Sequence, residues 1–180
     1  MCYEGPPMSV RTTNPRADEP VTVAQLREVG LFGALSDEVL ATLARTLRPA
    51  RFGIGDVIFR EGDPAHEMYV VLDGESEVVK RSRKARDHRV AILGPNDCFG
   101  EMSIVDVQPR SATVRAVAPS RVLVITSEDF DRLYRQDLKA YALVVLNIAR
   151  DLSRRLRVAD GILADFTASV LDHYVTATKS

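Results

Sequence analysis

The chain has 180 residues, 46% of them hydrophobic, with 24 Lys or Arg against 25 Asp or Glu. That length carries one domain with a proper core and a helix or two beside it. The even charge balance argues against a general nucleic-acid binder or a protein held to membranes by charge. Two distant cysteines, Cys2 and Cys98, make neither a disulfide framework nor a metal motif and fit a reducing cytoplasm. No apolar run approaches the roughly 18 residues of a membrane span, and the N-terminus has no signal-peptide pattern.

Residues 1–20, with four prolines and little apolar periodicity, read as a flexible tail. Thr22 to Gln25 has capping-box spacing and starts a short helix over about 23–29. A second helix follows Ser36, with Val39, Leu40, Leu43 and Leu47 at helical spacing, and is expected to end at Pro49. From Phe52 to Ile125 the texture changes to short β-branched runs: Val57 to Phe59, Tyr69 to Leu72, Glu77 to Val79, Val90 to Leu93 and Val122 to Ile125. Turn signals at Gly55-Asp56, Gly62-Asp63, Asp73-Gly74 and Gly94 to Asp97 separate them. Many short strands between glycine turns predict an antiparallel sandwich or barrel.

Ser127-Glu128-Asp129 predicts the cap of a further helix, with a break near Gln136-Asp137. Apolar residues then recur at Leu138, Ala142, Val145, Ala149, Leu152, Leu156, Ala159, Leu163, Phe166 and Val170 in steps of four and three. This is the seam of a coiled coil. A helix that long outreaches any small barrel, so its first half is expected to touch the barrel and its second half to form a homodimer; Gly161 weakens it by roughly 1 kcal/mol. The predicted division is a tail over 1–20, a β domain with flanking helices over 21–136, and a long helix over 137–176.

The stretch FGEMSIVDVQPRSATVRA, residues 99–116, sets two charges in an apolar context. Gly100 lets the backbone approach something closely, and Glu101 to Val105 suits one helical turn whose first amides face an anion. Arg110, after Pro109, has the planar fork that grips two phosphate oxygens. Glu101 repels a phosphate and should accept from a donor such as a sugar hydroxyl. An anion clamp and a hydroxyl acceptor at opposite ends of a loop describe a ribose phosphate ligand. A plain Glu101–Arg110 ion pair inside an ordinary sandwich explains the same residues.

The segment resembles the phosphate-binding cassette of cyclic nucleotide-binding domains, in which Phe-Gly-Glu, a short helix and Pro-Arg-Ser/Ala/Thr-Ala recur. The resemblance extends to LFGALSDEVLATLA near the N-terminus and to the strand-and-turn framework from Gly55 to Val78. It implies an eight-stranded antiparallel β jelly roll with N-terminal helices and a long C-terminal helix as lid. It implies that Arg110 binds the cyclic phosphate and Glu101 accepts from the ribose 2′-hydroxyl. Backbone amides at Gly100, Ser103 and Ser111 would complete the cradle, the Ser111 hydroxyl would add a contact, and Met102 and Ala112 would line it.

Which nucleotide binds is left between cAMP and cGMP. Ser111 leans towards cAMP. The RRLRV run, Arg154 to Val158, is followed by Ala159-Asp160, without the hydroxyls that bacterial cAMP receptors use on adenine. Asp160 suits the adenine amino group or the paired guanine donors. The expected protein is therefore a cyclic nucleotide sensor without further cofactor, acting on an unidentified protein partner, and not an enzyme; the other reading is a nucleotide-free interaction module. Only 20 residues follow Asp160, so sequence-specific DNA binding is not expected. The basic run Lys80 to Arg89 reads as a solvated hairpin tip ahead of an acidic-partner or nucleic-acid patch. His66, His88 and His173 share no ligand spacing; Cys98 reads as a small buried hydrophobe. Tyr141 and Tyr174 read as packing residues.

Overall fold

A computed structural model describes residues 19–82 and 87–177, with side chains to residue 169. All of the predicted tail but Glu19 and Pro20, with Cys2 in it, the centre of the basic turn, and the side chains of Val170, His173 and Tyr174 lie outside the described residues. The first helix, α1 (Val23–Glu28), starts on the predicted box: the Thr22 hydroxyl accepts from Gln25 N, and the Gln25 side chain accepts from Thr22 N at 3.0 Å. A single 3₁₀ turn, Gly30–Phe32, leads to α2 (Asp37–Thr46), where Ser36 caps the amide of Val39.

Eight strands follow: β1 (Arg48–Phe52), β2 (Val57–Phe59), β3 (Glu67–Asp73), β4 (Ser76–Arg81), β5 (Asp87–Leu93), β6 (Cys98–Phe99), β7 (Thr113–Ala116) and β8 (Ser120–Thr126). They form two four-stranded sheets, ordered β1-β8-β3-β6 and β2-β7-β4-β5, with every pair antiparallel. The expected jelly roll with its flanking helices is the architecture found. Two boundaries are corrected. The second helix stops at Thr46, ahead of Pro49, which sits inside β1. That strand has no β-branched residue and is a sheet edge, where a proline is tolerated.

The first sheet is buried on both faces, which is why β3 reads as a continuous apolar run. Tyr69 and Val71 point into the roll against Ile58, Phe99 and Val114. Met68 and Val70 point out, with Leu123 and Ile125 of β8, into a second core shared with Leu26, Phe32, Leu40 and Phe130. The second sheet turns its outer face to water, and β5 is exposed along nearly its whole length.

Helix α4 (Ser127–Gln136) begins one residue earlier than its sequence suggests. Thr126 is the cap and Asp129 completes the box, because the last residue of β8 already has the extended backbone a cap requires. Asp137 breaks the chain as expected and accepts from Ala140 N at 2.9 Å. Then α5 (Leu138–Ala177) runs for 40 residues, roughly 60 Å at 1.5 Å per residue. It lies on the helical core with Ala140, Val144 and Ile148, and Asn147 donates to the carbonyls of Leu31 and Gly33. The heptad seam lies largely elsewhere on the helix: Leu152 is partly buried against the core, but Leu156, Leu163 and Phe166 are 61–67% exposed, so nothing in the described chain covers its second half. Among the described residues, no helix is long and apolar enough to cross a membrane.

Candidate ligand site in the cassette

Strand β6 delivers the chain to Gly100, whose φ of +78° is the left-handed region that a side chain resists. A Cβ there would also stand 2.6 Å from Arg110 Nη1, so the glycine answers both a turn and a close approach. One helical turn follows, α3 (Met102–Val105), with Glu101 at its mouth. Val107, at φ +56°, reverses the chain, and Pro109 hands it to Arg110. The turn after β2 then fixes the arginine's backbone: Gly62 N donates to Arg110 O and Arg110 N to Asp63 O, both at 2.9 Å.

The Arg110 side chain is 4% exposed. Its guanidinium carbon sits 4.0 Å above the Phe59 ring and 5.7 Å from that of Tyr69, and Nη1 donates to Gly100 O at 3.1 Å. Phe59, Tyr69 and Phe99 form a contiguous aromatic platform beneath it, and the Tyr69 hydroxyl is anchored on Glu67. Arg110 makes no ion pair among the described residues, and its Nε lacks a hydrogen-bond partner. Burial lowers the pKa of this guanidinium. A π face offsets only about 2 kcal/mol of a desolvated charge, less than burial costs it.

Glu101 is likewise buried, 3% exposed, but its partner is not Arg110. The Glu101–Arg110 pair that the sequence admits is not formed. Instead Arg155, reaching down from α5, donates Nη1 to Glu101 Oε1 at 3.3 Å and Nη2 to Cys98 O, while pairing with Asp151 at 2.9 Å. Burial raises the Glu101 pKa, and the Arg155 charge works against that rise. Cys98 is partly buried, and burial pushes its thiol up to about 12, which makes it a poor nucleophile.

A cavity of about 100 Å³ lies between these groups. Its walls bring together Gly100, Glu101, Met102, Ser103, Arg110, Ser111 and Ala112, with Arg155 from the lid helix. Asp160 is not among them: it is exposed on α5, five residues beyond Arg155 and so roughly 140° around the helix. Sequence reasoning missed two parts of the site. Arg155 was inside a run already singled out, and its signal is the stripe it shares with Val144, Ile148 and Asp151 at helical spacing. The aromatic platform has no local signal, since Phe59, Tyr69 and Phe99 come from three strands. No cluster of three or more His, Cys, Asp or Glu is placed to hold a metal among the described residues.

A jelly roll that buries an arginine without an ion pair beside a short helical turn, under a long helix, is an architecture suited to a small anionic ligand. The family profile of the cyclic nucleotide-binding domain matches residues 49–137, and the chain belongs to that family. The CRP-like cAMP-activated global transcriptional regulator of Mycobacterium tuberculosis is 31% identical over 140 residues, 78% of this chain and 61% of that one. The chain thus spans less than two thirds of that relative's length. Among solved structures, the N-terminal domain of a transcriptional regulator from Streptomyces coelicolor matches at TM-score 0.65 and 30% identity, over 75% of this chain and 94% of that one. A cyclic nucleotide-binding domain from Methylobacillus flagellatus matches at TM-score 0.68 and 26% identity, over 75% and 76%.

Proposed function

We propose that this protein is a cyclic nucleotide sensor that takes cAMP, ahead of cGMP, in the cassette and signals through α5 to a protein partner. The observation that carries the reading is Arg110, a buried cation that lines the cavity and makes no ion pair among the described residues. A cyclic phosphate supplies the missing charge, and the amides at the head of α3 add donors. Glu101 presents its second carboxylate oxygen to the ribose 2′-hydroxyl, and Ser111 closes the rim, its hydroxyl 3.7 Å from Met102 Sδ. Preference for cAMP rests on Ser111 and on the name of the Mycobacterium relative; Asp160 reaches the base only if α5 turns. The sensing unit is residues 21–136, and 137–176 form the output helix, whose exposed seam suits a second copy of the chain. Ligand binding transmits a signal by favouring one seating of α5 over another.

Calorimetry with cAMP and cGMP tests this. Wild type should bind one of them, and Arg110→Ala should lose about 2–5 kcal/mol of binding free energy. Equal heats from the two proteins would contradict the reading. One observation favours a second reading, a nucleotide-free interaction module: the cavity, at about 100 Å³, is below the usual ligand-pocket range of about 300 Å³ upward. A nucleotide therefore requires Arg155 or α3 to give way, and a protein that binds neither cyclic nucleotide would fit the module instead.

A further inference from the structure

Outside the cassette, the water-facing side of the β2-β7-β4-β5 sheet holds a groove of about 670 Å³, much larger than the cassette cavity. Its floor is Val57, Val79 and Thr113, and the guanidiniums of Arg60, Arg81 and Arg115 stand on its rim. Arg115 is paired with Glu77 and Lys80 with Glu61. Arg60 and Arg81 are exposed and make no ion pair among the described residues. Among the residues lining the groove the cations Arg60, Arg81 and Arg115 outnumber the carboxylates Glu61 and Asp87 by three to two, on a chain whose net charge is −1. The surplus is local, and it surrounds an apolar floor.

We propose that this groove docks an extended acidic segment of a partner protein, with its carboxylates on Arg60 and Arg81 and its intervening apolar side chains on Val57 and Val79. The groove crosses the face of the sheet from Val57 of β2 to Asp87 of β5, which suits a segment lying extended across the strands. A nucleic-acid backbone fits less well. Glu61 and Asp87 interrupt the rim and repel evenly spaced phosphates, and among the described residues no aromatic ring lines the groove for a base to stack on. Carboxylates separated by neutral residues can meet the arginines and pass the acids. The groove also adjoins the cassette. Lys80 donates both to Glu61, at 2.9 Å, and to the carbonyl of Ser111, so a segment seated there lies one side chain from the Arg110–Ser111 turn.

The proposal does not depend on nucleotide binding, and its test uses none. A fluorescein-labelled peptide of alternating Glu and Val is titrated with the full chain by anisotropy, beside a matched Lys and Val peptide and a labelled oligothymidylate. The acidic peptide alone should bind, with an affinity that falls as salt is raised. Arg60→Glu with Arg81→Glu should weaken it at least about tenfold, and the milder Arg60→Gln with Arg81→Gln should fall between. Both positions are exposed, so the melting temperature should hold. The proposal is overturned by no peptide binding, by unchanged affinity in either double variant, or by tighter binding of the oligonucleotide.

Discussion

Gly100 sets the geometry of the cassette at the smallest scale. Gly100→Ala forces a side chain into the left-handed region, at about 1–2 kcal/mol, and drives a methyl against Arg110 Nη1. Both effects should appear together: a lower melting temperature, and weaker cAMP binding because the guanidinium must move off its platform. A variant that melts early yet keeps full affinity would show the arginine to be positioned by the rings alone. Glu101 offers a test in pH. Its folded-state pKa is raised by burial above the ordinary value of 4.5, so the folded protein binds the proton more tightly than the unfolded chain. Its contribution to stability is therefore present below pH 4.5 and is lost as pH rises through the folded-state value. Urea unfolding of wild type and Glu101→Gln across pH 4 to 7 should show a difference in stability that grows as pH rises. Parallel curves would assign the burial no net effect.

At the scale of elements, the caps carry most of what local sequence can specify. Thr22 and Ser36 start helices where their spacing says they should, because a cap is a contact over three residues. The one-residue error at α4 has the same origin: Thr126 and Ser127 are both competent caps, and the pairing of β8 with β3, which runs through Thr126 opposite Glu67, decides between them. Thr126→Ala should cost about 1 kcal/mol and Ser127→Ala less, measured by chemical denaturation. The reverse order would restore the sequence-based assignment. Strand β1 was hidden for a complementary reason. Arg48–Phe52 has no alternation or branching of its own, and it is a strand only because β8 offers it a ladder.

At the scale of the whole molecule, α5 couples two surfaces. One stripe, Ala140, Val144 and Ile148, is spent on the domain's own core, continues through Asp151 to Arg155, and ends on the cassette's carboxylate. The seam, about a quarter-turn away, leaves Leu156, Leu163 and Phe166 in water. Burying three such side chains is worth several kcal/mol, at roughly 1.5–3 kcal/mol each, which supports association between copies. Leu156→Glu with Leu163→Glu should convert a dimer to a monomer in light scattering at micromolar concentration without lowering cAMP affinity in proportion. A monomeric wild type would remove the dimer from the scheme. The same helix thus carries both the Arg155 contact to Glu101 and the exposed seam.

Periodicity and turn residues by themselves determined the helices and most of the strands, and the 99–116 motif pointed to the jelly-roll class and to seven neighbouring residues that line one cavity, because each is written in neighbours along the chain. What Arg110 and Glu101 each pair with was decided only in three dimensions. The arginine rests on rings from β2 and β3, and the glutamate meets an arginine 54 residues further on. Those contacts arise where separate elements are packed together, and long-range packing leaves no period or spacing to read.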